Sequence, residues 1–133
     1  MEKKYSLEDV VRERFEATKQ RGKYLAFIVK ELDKAGFKDY DETLKKAIYK
    51  FGKDKSVSWG SLNADEFMRH MIDSEIAEAT MKFKEEGSSS PDRAEFIFGR
   101  CPLEEGWKER GLSDAERKRL CILAAEHDYG IVD

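Results

Sequence analysis

The sequence predicts an α+β fold: a mostly helical single domain with one small antiparallel hairpin. Three observations lead there. Apolar residues recur at helical spacing, between recognisable start and stop signals, through the first 79 of the 133 residues. After Ala79 that spacing gives way to Thr80–Glu85 and Ala94–Arg100, two runs separated by the loop Gly87-Ser88-Ser89-Ser90-Pro91-Asp92. Two more helix starts follow, and both cysteines lie beyond the first of those runs. The chain thus divides into a helical part, 1–79, and a hairpin with cysteine-bearing helices, 80–133, of one domain.

Taken in order, Ser6 caps a first helix with Leu7, Val10, Val11 and Phe15 on one face, then Tyr24, Leu25, Ile28, Val29 and Leu32 after a polar middle. Gly22 leaves open whether this is one long helix or two, and Gly36 stops it. Asp41 caps a second helix with Leu44, Ala47, Ile48 and Phe51 as its buried stripe and Gly52 as its end. The polar segment Lys53 to Ser61 leads to the clearest start in the chain. There Leu62, Asn63, Glu66 and Phe67 spell a capping box with a hydrophobic staple. Phe67, Met68, Met71, Ile72 and Ile76 line that helix, with His70 beside the stripe and Asp73 three residues on. A rival to the hairpin is continuation of this helix through Phe83. In the last third, Pro102 at a first helical position makes Cys101 an N-cap, and Ser113 with Glu116 forms a second capping box.

Charged residues make up 40% of the chain, hydrophobic residues 40%, and the net charge is −3. No general nucleic-acid field follows, and the basic runs Lys3-Lys4 and Arg117-Lys118-Arg119 are flanked by acids as solvated helix faces are. No apolar run approaches the roughly 20 residues that span a bilayer. Two cysteines without an apolar leader make a reducing, cytoplasmic setting the expectation. The expected partner is a small molecule, not nucleic acid or membrane, and a homodimer stays open.

The residues with unusual chemistry gather between Gly99 and Gly130. A helix N-terminus favours thiolate at Cys101, while Glu104 and Glu105 in the same turn oppose it. Cys121, Ala124, Ala125 and Asp128 fall on one stripe of the last helix. Three chemistries suit Cys101, Cys121, His127 and Asp128: a thiol nucleophile, a metal centre that also draws on His70, and a disulfide switch. The spacing Cys-x19-Cys-x5-His is not a standard structural zinc pattern, so no metal or cofactor is assigned.

The run Phe98-Gly99-Arg100-Cys101-Pro102-Leu103, then Gly111, Leu120-Cys121 and Asp128, resembles the L-2-amino-thiazoline-4-carboxylic acid hydrolase family, as does Leu44-Lys45-Lys46-Ala47-Ile48-Tyr49-Lys50-Phe51-Gly52 upstream. The resemblance implies helices on a small sheet and hydrolytic opening of a cyclic C–N bond in a thiazoline carboxylate. It makes Cys101 the nucleophile, Asp128 the group that orients or deprotonates, and Cys121 part of the wall. The short turn from Gly106 to Leu112 is expected to fold the Cys101 helix back beside the Ser113 helix. That places Cys101, Cys121 and Asp128 at one pocket, with Arg100 or His70 for a substrate carboxylate and Trp107 closing a wall. The alternative is a non-catalytic small-ligand or metal-binding sensor domain on the same residues.

Overall fold

The computed structural model describes residues 4–72 and 74–133; Lys3 of the first basic run and Asp73, the expected neighbour of His70, lie outside them. Among the described residues the chain forms helices α1 (Leu7–Lys34), α2 (Asp41–Ser56), α3 (Ala64–Ile72), α4 (Glu75–Met81), α5 (Pro102–Glu109) and α6 (Asp114–Val132), with strands β1 (Phe83–Glu85) and β2 (Phe96–Phe98) between α4 and α5. The α+β fold dominated by helix is therefore as expected. The strands pair antiparallel with Phe83 opposite Phe98 and Glu85 opposite Phe96, although they are shorter than the sequence runs suggest.

The first helix is single and unbroken. Its start is the Ser6 capping box with Asp9, and its end is a Schellman turn in which Gly36, at φ 84°, donates to Asp33 O while Phe37 donates to Leu32 O. Gly22 does not bend it. The missing side chain instead lets α5 approach, since a Cβ there would stand 2.8 Å from Leu103 Cα, and the Gly22 carbonyl accepts a 2.8 Å hydrogen bond from Trp107 Nε1. Gly52 likewise does not end α2. The helix runs four residues further, into a single 3₁₀ turn at Val57–Trp59, because Gly52 is where α6 touches it. Phe51, expected in the buried stripe, is 52% exposed, with its ring 5.4 Å from that of His127. Lys53 to Ser61 is thus largely helical.

The core joins Ala26 and Val29 of α1, Trp107 of α5, and Leu120 and Leu123 of α6. The fifth helix packs chiefly on α1 and the sixth on α2. Asp41 of α2 pairs with Arg119 while Tyr49 bonds Asp133, so α2 and α6 run in the same direction. Arg119 also reaches Asp33 at 3.0 Å, tying α1 to that pair. The Tyr40 hydroxyl and then Arg119 hold the Asp33 carboxyl below the usual carboxylate range, and Arg119 does the same for Asp41.

On the opposite edge the buried Lys19, at 2.7 Å, and Lys23, also at 2.7 Å, grip Glu109 at the end of α5. Those hydrogen bonds, Lys19 first, hold the Glu109 carboxyl at about 2. A depressed carboxyl pKa stabilises the fold above its ordinary value of 4.5, and the contribution is lost as pH falls through about 2. Glu109→Gln is therefore expected to lower stability at neutral pH and to flatten its decline across that acid window. An acid-unfolding curve unchanged by the substitution would count against this clamp.

The Asn63 box forms as read: Glu66 N donates to Asn63 Oδ1 at 2.9 Å, and Asn63 N donates to Glu66 Oε2 at 2.9 Å. The helix it opens is Ala64–Ile72 among the described residues, and α4 starts afresh from Ser74, whose backbone is extended and whose Oγ accepts from Ala77 N at 3.3 Å. Neither continuation through Phe83 nor loss of helix at Ala79 occurs. The left-handed Lys82, at φ 50°, closes α4 and turns the chain into β1. Asn63→Ala should cost about 1 kcal/mol, read as a lower urea midpoint at constant m. An unchanged midpoint would show that the box adds nothing.

Candidate functional site

Cys101 caps α5 with extended backbone (φ −122°, ψ 110°), and its side chain makes no cap hydrogen bond. It is half-buried, whereas Cys121 on α6 is exposed. The burial that remains around the Cys121 sulfur pushes its thiol up, and the nearby Cys101 and Glu104 push it further. The fold thus brings the two thiols into electrostatic reach of each other and of the first turn of α5. Deprotonation of Cys121 is disfavoured there.

The other predicted site residues lie elsewhere. Arg100 donates to Thr80 O at 2.7 Å and to Ala79 O at 3.1 Å, and its guanidinium lies over the Phe15 ring. It closes the C-terminal end of α4, where free carbonyls need donors. His70 is exposed on α3, with its ring 4.3 Å from that of Trp59. Trp107 is 1% exposed inside the core, which corrects its expected place in a pocket wall. The expected fold-back of α5 beside α6 does occur, with Glu104 3.9 Å from Arg117 and Trp107 packed against Leu120 and Leu123, but the wider face of α5 rests on α1. Asp128 stands two helical turns beyond Cys121, about 10 Å along the axis.

At Asp128 a cavity of about 650 Å³ opens. One wall is α3 with the residues just before it, through Leu62, Ala64, Phe67, Met68 and Met71. A second is the hairpin, through Phe96, Phe98 and Ala94. The third is the last turn of α6, through Ile131 and Val132. The polar lining consists of Asn63, Asp92 and Asp128. Each wall has a local cause. The T-shaped and tilted stack of Phe83, Phe96 and Phe98 holds the hairpin, with Phe83 buried beneath. The hairpin loop is fastened to the start of α3, where Ala64 N donates to Pro91 O at 2.9 Å and Ser89 Oγ donates to Asp65. Asn63 thus serves helix start and cavity at once.

Asp128 Oδ1 lies 3.1 Å from His127 Nδ1, while His127 Nε2 is buried without a hydrogen-bond partner. From α2, the ammonium of Lys55 is held below the usual lysine range by burial and then by Arg21 and Arg14, with Asp128 acting in the other direction. A second, smaller cleft of about 80 Å³ lies over Ala26, Val29 and Leu120. Among the described residues no three His, Cys, Asp or Glu side chains converge as a metal site, and no helix is long and apolar enough to cross a membrane.

Of the predicted site residues, then, Asp128 lines the large cavity, while the two thiols form a separate neighbourhood at the α5 start. Sequence reasoning missed Phe67, Met71, Phe96 and Asp92 as site residues. The aromatic hairpin and the apolar stripe of α3 were visible, but nothing in either told that they face each other. Comparison with protein-family models, with curated proteins and with solved structures finds no match to this chain.

Proposed function

We propose that this chain is a non-catalytic domain that binds a small molecule between α3, the hairpin and the end of α6. The observation that carries this reading is the cavity itself: about 650 Å³, lined by apolar and aromatic side chains with a few polar groups at its rim. Small-molecule sites have that size and make-up, roughly 300–1,000 Å³ with few polar groups. The reading includes a cytoplasmic setting, as expected for free thiols. A neutral, environment-sensitive dye such as prodan tests it. The dye should bind with a blue-shifted emission, and Ala94→Trp, which fills the space beside Phe96, should remove binding while leaving the far-ultraviolet circular dichroism unchanged. Absence of uptake, or uptake indifferent to Ala94→Trp, would defeat the proposal.

A second reading keeps the chemistry that the family resemblance implies, hydrolytic opening of a cyclic C–N bond by a thiol. The proximity of Cys121 to Cys101, and the place of Cys101 at the amide end of α5, favour it. Intact-protein mass spectrometry after brief iodoacetamide treatment near neutral pH decides. Fast alkylation of Cys101 supports the enzyme, and two inert thiols remove it.

A further inference from the structure

We infer that the occupant of the cavity is an apolar, aromatic-sized molecule that carries a cationic amine. The inference rests on the binding reading above and specifies its ligand by charge. The polar lining supplies two carboxylates, Asp92 and Asp128, and no Lys, Arg or His among the described residues. Asn63, the third polar group, already spends its oxygen on Glu66 N. Asp92 has no ion pair among the described residues, and Asp128, 54% exposed at the rim, has one oxygen beside His127 Nδ1 and the other available. Lys55 of α2 acts on Asp128 from outside the lining.

A neutral ligand sealing this space would strip water from two carboxylates and return nothing, and an anionic one would add a like charge. An ammonium reverses both penalties. The aromatic lining agrees with that sign, because Phe67, Phe96 and Phe98 border the same space and aromatic rings attract cations. Recognition of this kind combines apolar burial of the body with charge selection at the rim.

Calorimetric titration of the full chain at pH 7 with three naphthalene probes tests the charge preference: 2-(1-naphthyl)ethylamine, the neutral 2-(1-naphthyl)ethanol and the anionic 1-naphthylacetate. The amine should bind on the order of tenfold more tightly than the alcohol, and the carboxylate most weakly. In Asp92→Asn combined with Asp128→Asn, amine and alcohol should bind equally, the alcohol no more weakly than to the parent, with the far-ultraviolet circular dichroism unchanged as the control for folding. An alcohol or carboxylate that binds as tightly as the amine, or an amine preference that survives the double substitution, overturns the inference while the cavity stands as a ligand site. Binding of none of the three overturns the inference and the binding reading together.

Discussion

Gly52→Ala is expected to lower the melting temperature by roughly 10 °C, the value for about 3 kcal/mol of overpacking in a domain of this size. A Cβ built on Gly52 would sit inside the carbonyl oxygen of His127 and 2.8 Å from its carbonyl carbon. The contact is reciprocal. A Cβ on Gly130 would meet the carbonyl oxygen of Tyr49, 2.9 Å from its carbon and 3.0 Å from Lys53 N. These neighbours are backbone, which cannot rotate aside as a flexible side chain does. Relief requires α2 and α6 to separate along their length, and α6 carries Asp128, Ile131 and Val132 into the cavity wall. Gly52→Ala should therefore weaken dye binding as well as stability. Gly130→Ala should do the same, and the pair together should cost less than the sum, because one separation relieves both clashes. A melting temperature within 2 °C of the parent in either variant would mean that the helices do not touch at these glycines.

Trp107→Ala should be more damaging to stability and less so to the cavity. The indole is 1% exposed among Ala26, Val29, Leu120 and Leu123, and truncating such a side chain typically costs about 3–5 kcal/mol. Trp107→Phe separates its two contributions. It keeps most of the buried ring but removes the indole donor from the Gly22 carbonyl, which retains its bond within α1, a loss of about 0.5–1.5 kcal/mol. Urea unfolding of the three proteins should rank them parent, Phe, Ala. Equal midpoints for Phe and parent would show that the hydrogen bond to Gly22 is energetically silent.

Helix starts were legible in the sequence wherever a side chain supplies the missing partner of a backbone amide. Ser6, Asn63 and Ser113 each cap where expected, and Cys101 stands at the start of α5 because Pro102 follows it. Helix ends marked by glycine were half legible. Gly36 adopts the left-handed conformation that stops a helix, whereas Gly22 and Gly52 are there for close approach, and a sequence does not distinguish the two uses. The hairpin showed in its aromatic residues. The site was least legible, because it depends on which faces meet. Trp107 sits in the core between α1 and α6, where Gly22 lets α5 approach, so it serves packing and not a pocket wall. Asp128 was picked out for its spacing from Cys121, yet its surroundings come from α3 and the hairpin, some sixty and thirty residues earlier.

The largest helix interfaces join α1 to α5 and α2 to α6, partners that lie far apart along the chain: Trp107 and Gly22 are 85 positions apart, and Arg119 and Asp41 are 78. Long loops must close before Trp107 meets Gly22 or the two glycine contacts form, and closing them costs chain entropy in advance of any gain from packing. This helical protein should thus fold more slowly than a bundle whose helices pair in sequence order, with kinetics nearer those of mixed α/β domains than its helix content suggests.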